Sequence, residues 1–165
     1  MTVVTLKGSP MQTIGELPVV GMDAPDFGLT DEDLSNRTLS DYAGKKIIMN
    51  IFPSIDTPVC SSTVRRFNEI ASKLSNSVVL CISMDLPFAQ KRFCGAEGLD
   101  RTIPLSDFRT GQFAKDYGVM IMDGPLRGLM ARAIIIVDDN GSVLYTQQVD
   151  EISEEPDYDA ALDFV

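Results

Sequence analysis

The chain has 165 residues, 44% hydrophobic and 23% charged, which suits one globular domain (1–165) with a sizeable core and argues against disorder. Fourteen Lys and Arg against 24 Asp and Glu leave a formal charge of −10, so nucleic acid and anionic membrane surfaces are poor partners. There is no histidine, which excludes a Cys-His dyad, a Ser-His-Asp triad and a His-ligated metal.

The three cysteines, Cys60, Cys81 and Cys94, are too few and too widely spaced for a zinc site. No metal or cofactor is expected. The N-terminus lacks a basic segment followed by an apolar one, and no apolar run approaches the length of a membrane span, so the expected location is the cytoplasm.

In chain order, residues 3–6 and 11–14 flank Lys7-Gly8-Ser9-Pro10 and predict an N-terminal hairpin. Residues 27–30 predict a short strand, and 39–44 a turn of helix closed by Gly44. The nearly continuous apolar run 47–52 predicts a strand buried on both faces. Beyond the loop 53–56, Val64, Phe67, Ile70, Ala71 and Leu74 recur at the spacing of one helical face. Thr57 is placed to cap that helix, Pro58 suits its first position, and Cys60 falls in its first turn.

Residues 75–77 break the pattern and 78–82 predict a second buried strand, parallel to the first through a right-handed crossover. Pro87 opens a second helix through Gly95 that carries Phe88, Phe93 and Cys94. Residues 102–105 predict an edge strand, 111–117 a short helix, 120–130 a glycine-rich apolar loop and 133–137 a third buried strand. Asp139-Asn140-Gly141 turns the chain into 142–149, and Tyr158, Ala161, Leu162 and Val165 mark a last helix face. This βαβ half followed by a ββα half is the thioredoxin-like order, an α/β fold with an N-terminal β-hairpin and a central mixed sheet flanked by helices.

Only a thiolate is a strong sulfur nucleophile, and the free N–H groups and dipole at a helix N-terminus favour negative charge, so Cys60 is the candidate reactive cysteine. With no imidazole, whatever activates it must be a dipole, hydrogen bonds or an arginine. Pro53, without an N–H, can wall the thiolate from water, and Thr57 can direct its hydroxyl at the thiolate and the reacting oxygen. Cys81, in mid-strand, reads as inert and buried. Arg132 precedes an apolar strand, where an inward charge needs a partner, whereas Arg127 in the glycine loop reads as a surface charge.

Pro53, Thr57 and Cys60 form P-x-x-x-T-x-x-C across a strand-loop-helix junction, and residues 89–98 read Ala-Gln-Lys-Arg-Phe-Cys-Gly-Ala-Glu-Gly. Together these strings resemble the bacterial thiol peroxidases, an atypical 2-Cys branch of the peroxiredoxins. The resemblance runs from Gly21 to Asp159. It implies a peroxidase in which Cys60 attacks the peroxide and Arg132 fixes the thiolate. It further implies that Cys94 closes an intrachain disulfide with Cys60, that thioredoxin re-reduces it, and that the protein is a homodimer.

An apolar mouth from Phe27, Phe52, Phe88 and the 120–130 loop would suit organic peroxides, although Phe52 also reads as core. An exposed patch of Met120, Ile121, Met122, Leu126 and Leu129 would fit the dimer. A disulfide relay to a protein partner and a non-catalytic binding module remain alternatives at this point. Because each cysteine lies in its own helix and a disulfide needs Cα atoms within about 7 Å, closing it is expected to unwind part of the Cys94 helix, the Cys60 turn or both, with Gly95 and Gly98 making the Cys94 helix the easier to open.

Overall fold

The computed structural model describes residues 1–165. The chain begins with an isolated hairpin of β1 (Val3–Leu6) and β2 (Ser9–Gln12). Its turn is only Lys7-Gly8, both at positive φ (50° and 83°), the left-handed pair that matches strand twist in two-residue turns. Because Lys7 accepts that conformation, Ser9 and Pro10 join the second strand, which starts earlier than the expected 11–14. The register pairs Val4 with Met11, and both are buried.

The main sheet holds β3 (Gly28–Thr30), β4 (Asn36–Thr38), β5 (Lys46–Ile51), β6 (Ser77–Ser83), β7 (Ile103–Ser106), β8 (Ala133–Val137) and β9 (Val143–Gln148). The spatial order is β4-β3-β7-β6-β5-β8-β9. β5, β6 and β7 run parallel, and β8 and β9 add antiparallel on the other side of β5. The expected edge strand at 102–105 is therefore interior, with β3 bridging it through Thr30 and Ser106. The edge beyond is β4, which sequence reasoning missed because Asn36-Arg37-Thr38 has no apolar alternation to show it.

The period of two along β5 divides the core. Ile47, Met49 and Ile51 join Leu80, Ile82, Phe113 and Ile135 on one face, while Ile48 and Phe52 join Val79, Cys81, Ile134 and Ile136 on the other. Over the second face lies α1 (Pro58–Ala71), burying Cys60, Val64, Phe67 and Ile70, each apolar side chain worth about 1.5–3 kcal/mol.

α2 (Pro87–Glu97) buries only Pro87, Gln90 and Cys94. It continues past Gly95, where it was expected to stop, and ends at Gly98, whose left-handed φ of 67° forms the C-cap. α3 (Gln112–Asp116) and α4 (Tyr158–Leu162) are short. No helix is long and apolar enough to cross a membrane.

Candidate active site

β5 delivers the chain into the loop 53–56, and α1 starts where Thr57 holds extended dihedrals before Pro58. Thr57 is the N-cap by backbone position, but its hydroxyl caps nothing. Oγ1 instead donates to the Ser54 carbonyl at 3.1 Å, contrary to the expected capping role. The first amide of α1 to find a backbone acceptor is Ser61, which donates to the Thr57 carbonyl at 3.0 Å. The amides of Val59 and Cys60 have no partner, so two N–H groups and the positive end of α1 lie beside the Cys60 side chain.

Cys60 is wholly buried, and Arg132, 1% exposed, lies against it. Nη2 of Arg132 donates to Sγ at 3.2 Å and Nε donates to the Ile152 carbonyl at 3.0 Å, while Nη1 has no partner. No carboxylate pairs with this guanidinium, although the chain has 24 acids. A buried cation without a counter-charge is costly, and the Cys60 sulfur is the side-chain atom to which this guanidinium donates. Arg127 is exposed, as expected of a surface charge.

A cavity of about 320 Å³ opens beside these groups. Pro53, Thr57 and Arg132 line it, with apolar surface from Leu6, Leu126, Leu129 and Ile152. Cys60 itself stays behind them. Of the side chains expected at the mouth, only those of the 120–130 loop contribute: Phe27 and Phe52 are in the core, and Phe88 stands exposed elsewhere. Ile121 is fully buried and Met120 packs on the core, so the exposed apolar patch expected there does not form.

Part of the wall comes from the N-terminal hairpin, whose contribution no sequence signal foretold. Glu151 accepts from the Gly8 amide at 2.9 Å, Thr5 Oγ1 at 3.0 Å, the Ser153 amide at 2.9 Å and Ser153 Oγ at 2.7 Å. These bonds, Ser153's first, hold its carboxyl down at about 2. Glu151 thereby ties the hairpin to the segment whose Ile152 carbonyl orients Arg132. Gln148 adds Nε2, which donates to the Arg132 carbonyl at 3.0 Å.

Cys94 lies apart from this cluster. It is 6% exposed, and burial, with a smaller contribution from Glu32, pushes its thiol up to about 11. It borders a second cavity, of about 480 Å³, together with Gly95, Gly98 and Thr102, and the two cavities share no residue. All three cysteines are free thiols. Cys81 faces the core of β6, with Asn50 Nδ2 3.7 Å from its sulfur, and burial pushes it up to about 12.

Surface contacts join the two helices. Arg65 Nη2 meets Glu97 Oε1 at 2.6 Å and its guanidinium lies over the Phe93 ring at 5.5 Å, while Arg92 Nη2 is 3.7 Å from Asp56 Oδ1.

The sheet order is that of a thioredoxin-like fold, and a cysteine in the first turn of a helix with a buried arginine on its sulfur suits a thiol-based oxidoreductase. Residues 19–162 match the redoxin family. The thiol peroxidases of Mycobacterium bovis and Mycobacterium tuberculosis are each 53% identical over 162 residues, 98% of this chain and 97% of theirs. Among solved structures, a peroxiredoxin-like protein from Aquifex aeolicus is 40% identical and superposes with a TM-score of 0.93 over 99% of this chain and 95% of its own. The thiol peroxidase from Chromobacterium violaceum, 24% identical over 99% and 95% of the two chains, shares the fold at a TM-score of 0.90. The chain belongs to the redoxin family and, within it, to the thiol peroxidases, peroxidase enzymes of the peroxiredoxin kind.

Proposed function

We propose that this enzyme reduces hydrogen peroxide and organic hydroperoxides through Cys60, with Cys94 as the resolving thiol and a thioredoxin-type dithiol as reductant. The single observation that carries this reading is the buried Arg132, bonded to Cys60 Sγ and to no carboxylate. The Cys60 thiolate attacks one peroxide oxygen, the O–O bond breaks, and the leaving oxygen takes a proton to depart as water or alcohol. The unpartnered Arg132 Nη1 is available to the developing charge. Thr57 Oγ1, its proton engaged by the Ser54 carbonyl, keeps lone pairs to accept from a peroxide O–H. Pro53 offers a wall with no competing N–H.

Cys60 is then a sulfenic acid. The Cys94 thiol attacks its sulfur, an S–S bond forms within the chain and water leaves. The reductant's two thiols are oxidised to a disulfide as Cys60 and Cys94 are restored. Apolar cavity walls from Leu6, Leu126 and Leu129 favour organic tails as well as hydrogen peroxide. Free cysteines and a dithiol reductant suit a reducing compartment such as the cytoplasm. For the homodimer, Leu86 and Phe88 at the start of α2 offer exposed apolar surface, whereas of the 120–130 loop's large apolar side chains Met122 alone is exposed.

Since the chain has no tryptophan, quench-flow with mass spectrometry is the suitable test. Reduced protein mixed with hydrogen peroxide or cumene hydroperoxide should gain one oxygen at Cys60, then lose water as the Cys60–Cys94 disulfide closes, and turn over steadily with reduced thioredoxin. Oxidation beginning at Cys81 or Cys94 would overturn the assignment.

A further inference from the structure

The loop that carries Pro53 and leads to Thr57 is gripped by a carboxylate from a different part of the sheet. Asp85, half-buried just beyond β6, accepts from Ser54 Oγ at 2.8 Å through Oδ1, and from the Ile55 amide at 2.7 Å and Ser83 Oγ at 2.7 Å through Oδ2. No cation pairs with it. Its backbone is fixed from behind: the Asp85 amide donates to Ser83 Oγ at 3.2 Å, and Ser106 Oγ of β7 donates to the Asp85 carbonyl. Gln90 of α2, 2% exposed, donates from Nε2 to Ser83 Oγ at 3.2 Å and to the Leu105 carbonyl at 2.9 Å.

Ser54 passes this anchorage on to the site. Its Oγ accepts from the Asp56 amide at 3.2 Å, and its carbonyl receives both the Thr57 amide and Thr57 Oγ1 at 3.1 Å. Ser61 Oγ shares its proton between the Thr57 carbonyl at 2.8 Å and the Ile55 carbonyl at 3.2 Å, tying the same loop to the turn of α1 that holds Cys60. From the sheet to the Thr57 hydroxyl the chain of bonds is Ser83, Asp85, Ser54, Thr57.

Resting on the peroxidase reading above, we propose that Asp85 is a positioning residue: through Ser54 and Ile55 it holds Thr57 and the Cys60 turn in the arrangement that reacts with peroxide. A carboxylate suits the place because both of its oxygens accept. In Asp85→Asn one oxygen becomes an NH2 donor: turned to the Ile55 amide it loses that bond, and turned to Ser54 it reverses the bond and competes for the Oγ that accepts from the Asp56 amide. The Asp85 grip serves the first chemical step, in which Thr57 and the Cys60 turn meet the peroxide; closure depends instead on the opening of α2.

The test uses the full chain and quench-flow mass spectrometry, separating Cys60 oxidation by hydrogen peroxide from the later closure of the disulfide. Asp85→Asn should slow oxidation about 10- to 100-fold, the scale of a small misplacement of reacting groups, while closure keeps or exceeds its rate. Ser54→Ala, which removes one arm and decides the matter should Asp85→Asn not fold, should slow oxidation less. The double variant should be no slower than Asp85→Asn alone, because both act along one chain of bonds.

Arg65→Ala is the comparator for plain loosening: it cuts the ion pair between α1 and α2 without touching the loop, and should leave oxidation unchanged. Wild-type oxidation in both Asp85→Asn and Ser54→Ala, additive losses in the double variant, or equal slowing of oxidation and closure would each overturn the role of Asp85. An inert wild type would instead bring down the peroxidase reading, and this inference with it.

Discussion

The helices that carry Cys60 and Cys94 are built differently. α1 buries Cys60, Ser61, Thr63, Val64, Phe67 and Ile70 against the sheet, whereas α2 buries Pro87, Gln90 and Cys94. Around Cys60 the polar bonds are dense: the Arg132 guanidinium on the sulfur, Thr63 Oγ1 donating to the Cys60 carbonyl at 2.8 Å, and Asn50 Nδ2 donating to Thr63 Oγ1 at 3.3 Å. Cys94 has no such setting; its thiol is neutralised by burial and its helix ends on a left-handed glycine. In the proposed cycle the well-packed helix holds the group that must be ready before substrate arrives, and the weakly held helix carries the group that must move afterwards, since segments that open are drawn from regions with few buried contacts.

The strongest way to break this contrast is to remove the ready group. Cys60→Ser should abolish peroxide consumption, and Arg132→Met should lower the oxidation rate about 100- to 1,000-fold, as loss of a charge-stabilising donor does. Substrate-dependent turnover in Cys60→Ser would place the chemistry elsewhere. Cys94→Ser should permit one oxidation and then stall as a Cys60 sulfenic acid, read by mass, unless an external thiol rescues it; full turnover with thioredoxin alone would remove Cys94 from the cycle.

A third prediction sharpens the difference through pH. The Cys94 thiol lies near 11 in the folded helix against an ordinary value of 9.0, because burial disfavours the thiolate. A raised thiol value means the folded form holds its proton longer, so the stability this group lends α2 is fully present below 9.0 and is lost as pH rises through about 11. If Cys94 attacks as the thiolate, the closure rate should climb with pH up to about 11, because thiolate formation and the loss of this stability both favour attack; a closure rate that stayed flat over that range would contradict it. Smaller still is the effect of Arg65→Ala. The Arg65–Glu97 pair is partly exposed and worth about 0.2–1 kcal/mol, so its loss should speed closure only a few-fold, most at low salt. Slower closure would show that the pair assists the opening rather than resisting it.

Much of this was legible in the chain because the signals were local. The apolar run into Pro53, the Thr57-Pro58 start and the recurring Val64, Phe67 and Ile70 specify strand, loop and helix through short-range physics. Arg132 was legible for a related reason, since a charge entering the apolar strand 133–137 has to be explained. What was not legible is partnership across distance. Asp85, Glu151 and Gln148 look like ordinary polar residues in sequence, and only the fold brings Asp85 to Ser54 or Glu151 to Gly8. Thr57 was misjudged in its hydrogen bond because capping and bonding to the Ser54 carbonyl are both available to a hydroxyl at that position. The strand expected at an edge over 102–105 is interior at 103–106, where it runs parallel to β6 and meets β3 through a single bridge that no local sequence signal announces.

The central claim is that the cycle alternates between an intact Cys60–Arg132 site and a disulfide state in which α2 has partly opened. Amide hydrogen exchange on the reduced and disulfide forms tests it most directly. Residues 88–98, and to a lesser extent 57–62, should lose protection in the disulfide form while β5 and β8 keep theirs. Equal protection across 88–98 and 57–62 in both redox forms would contradict it.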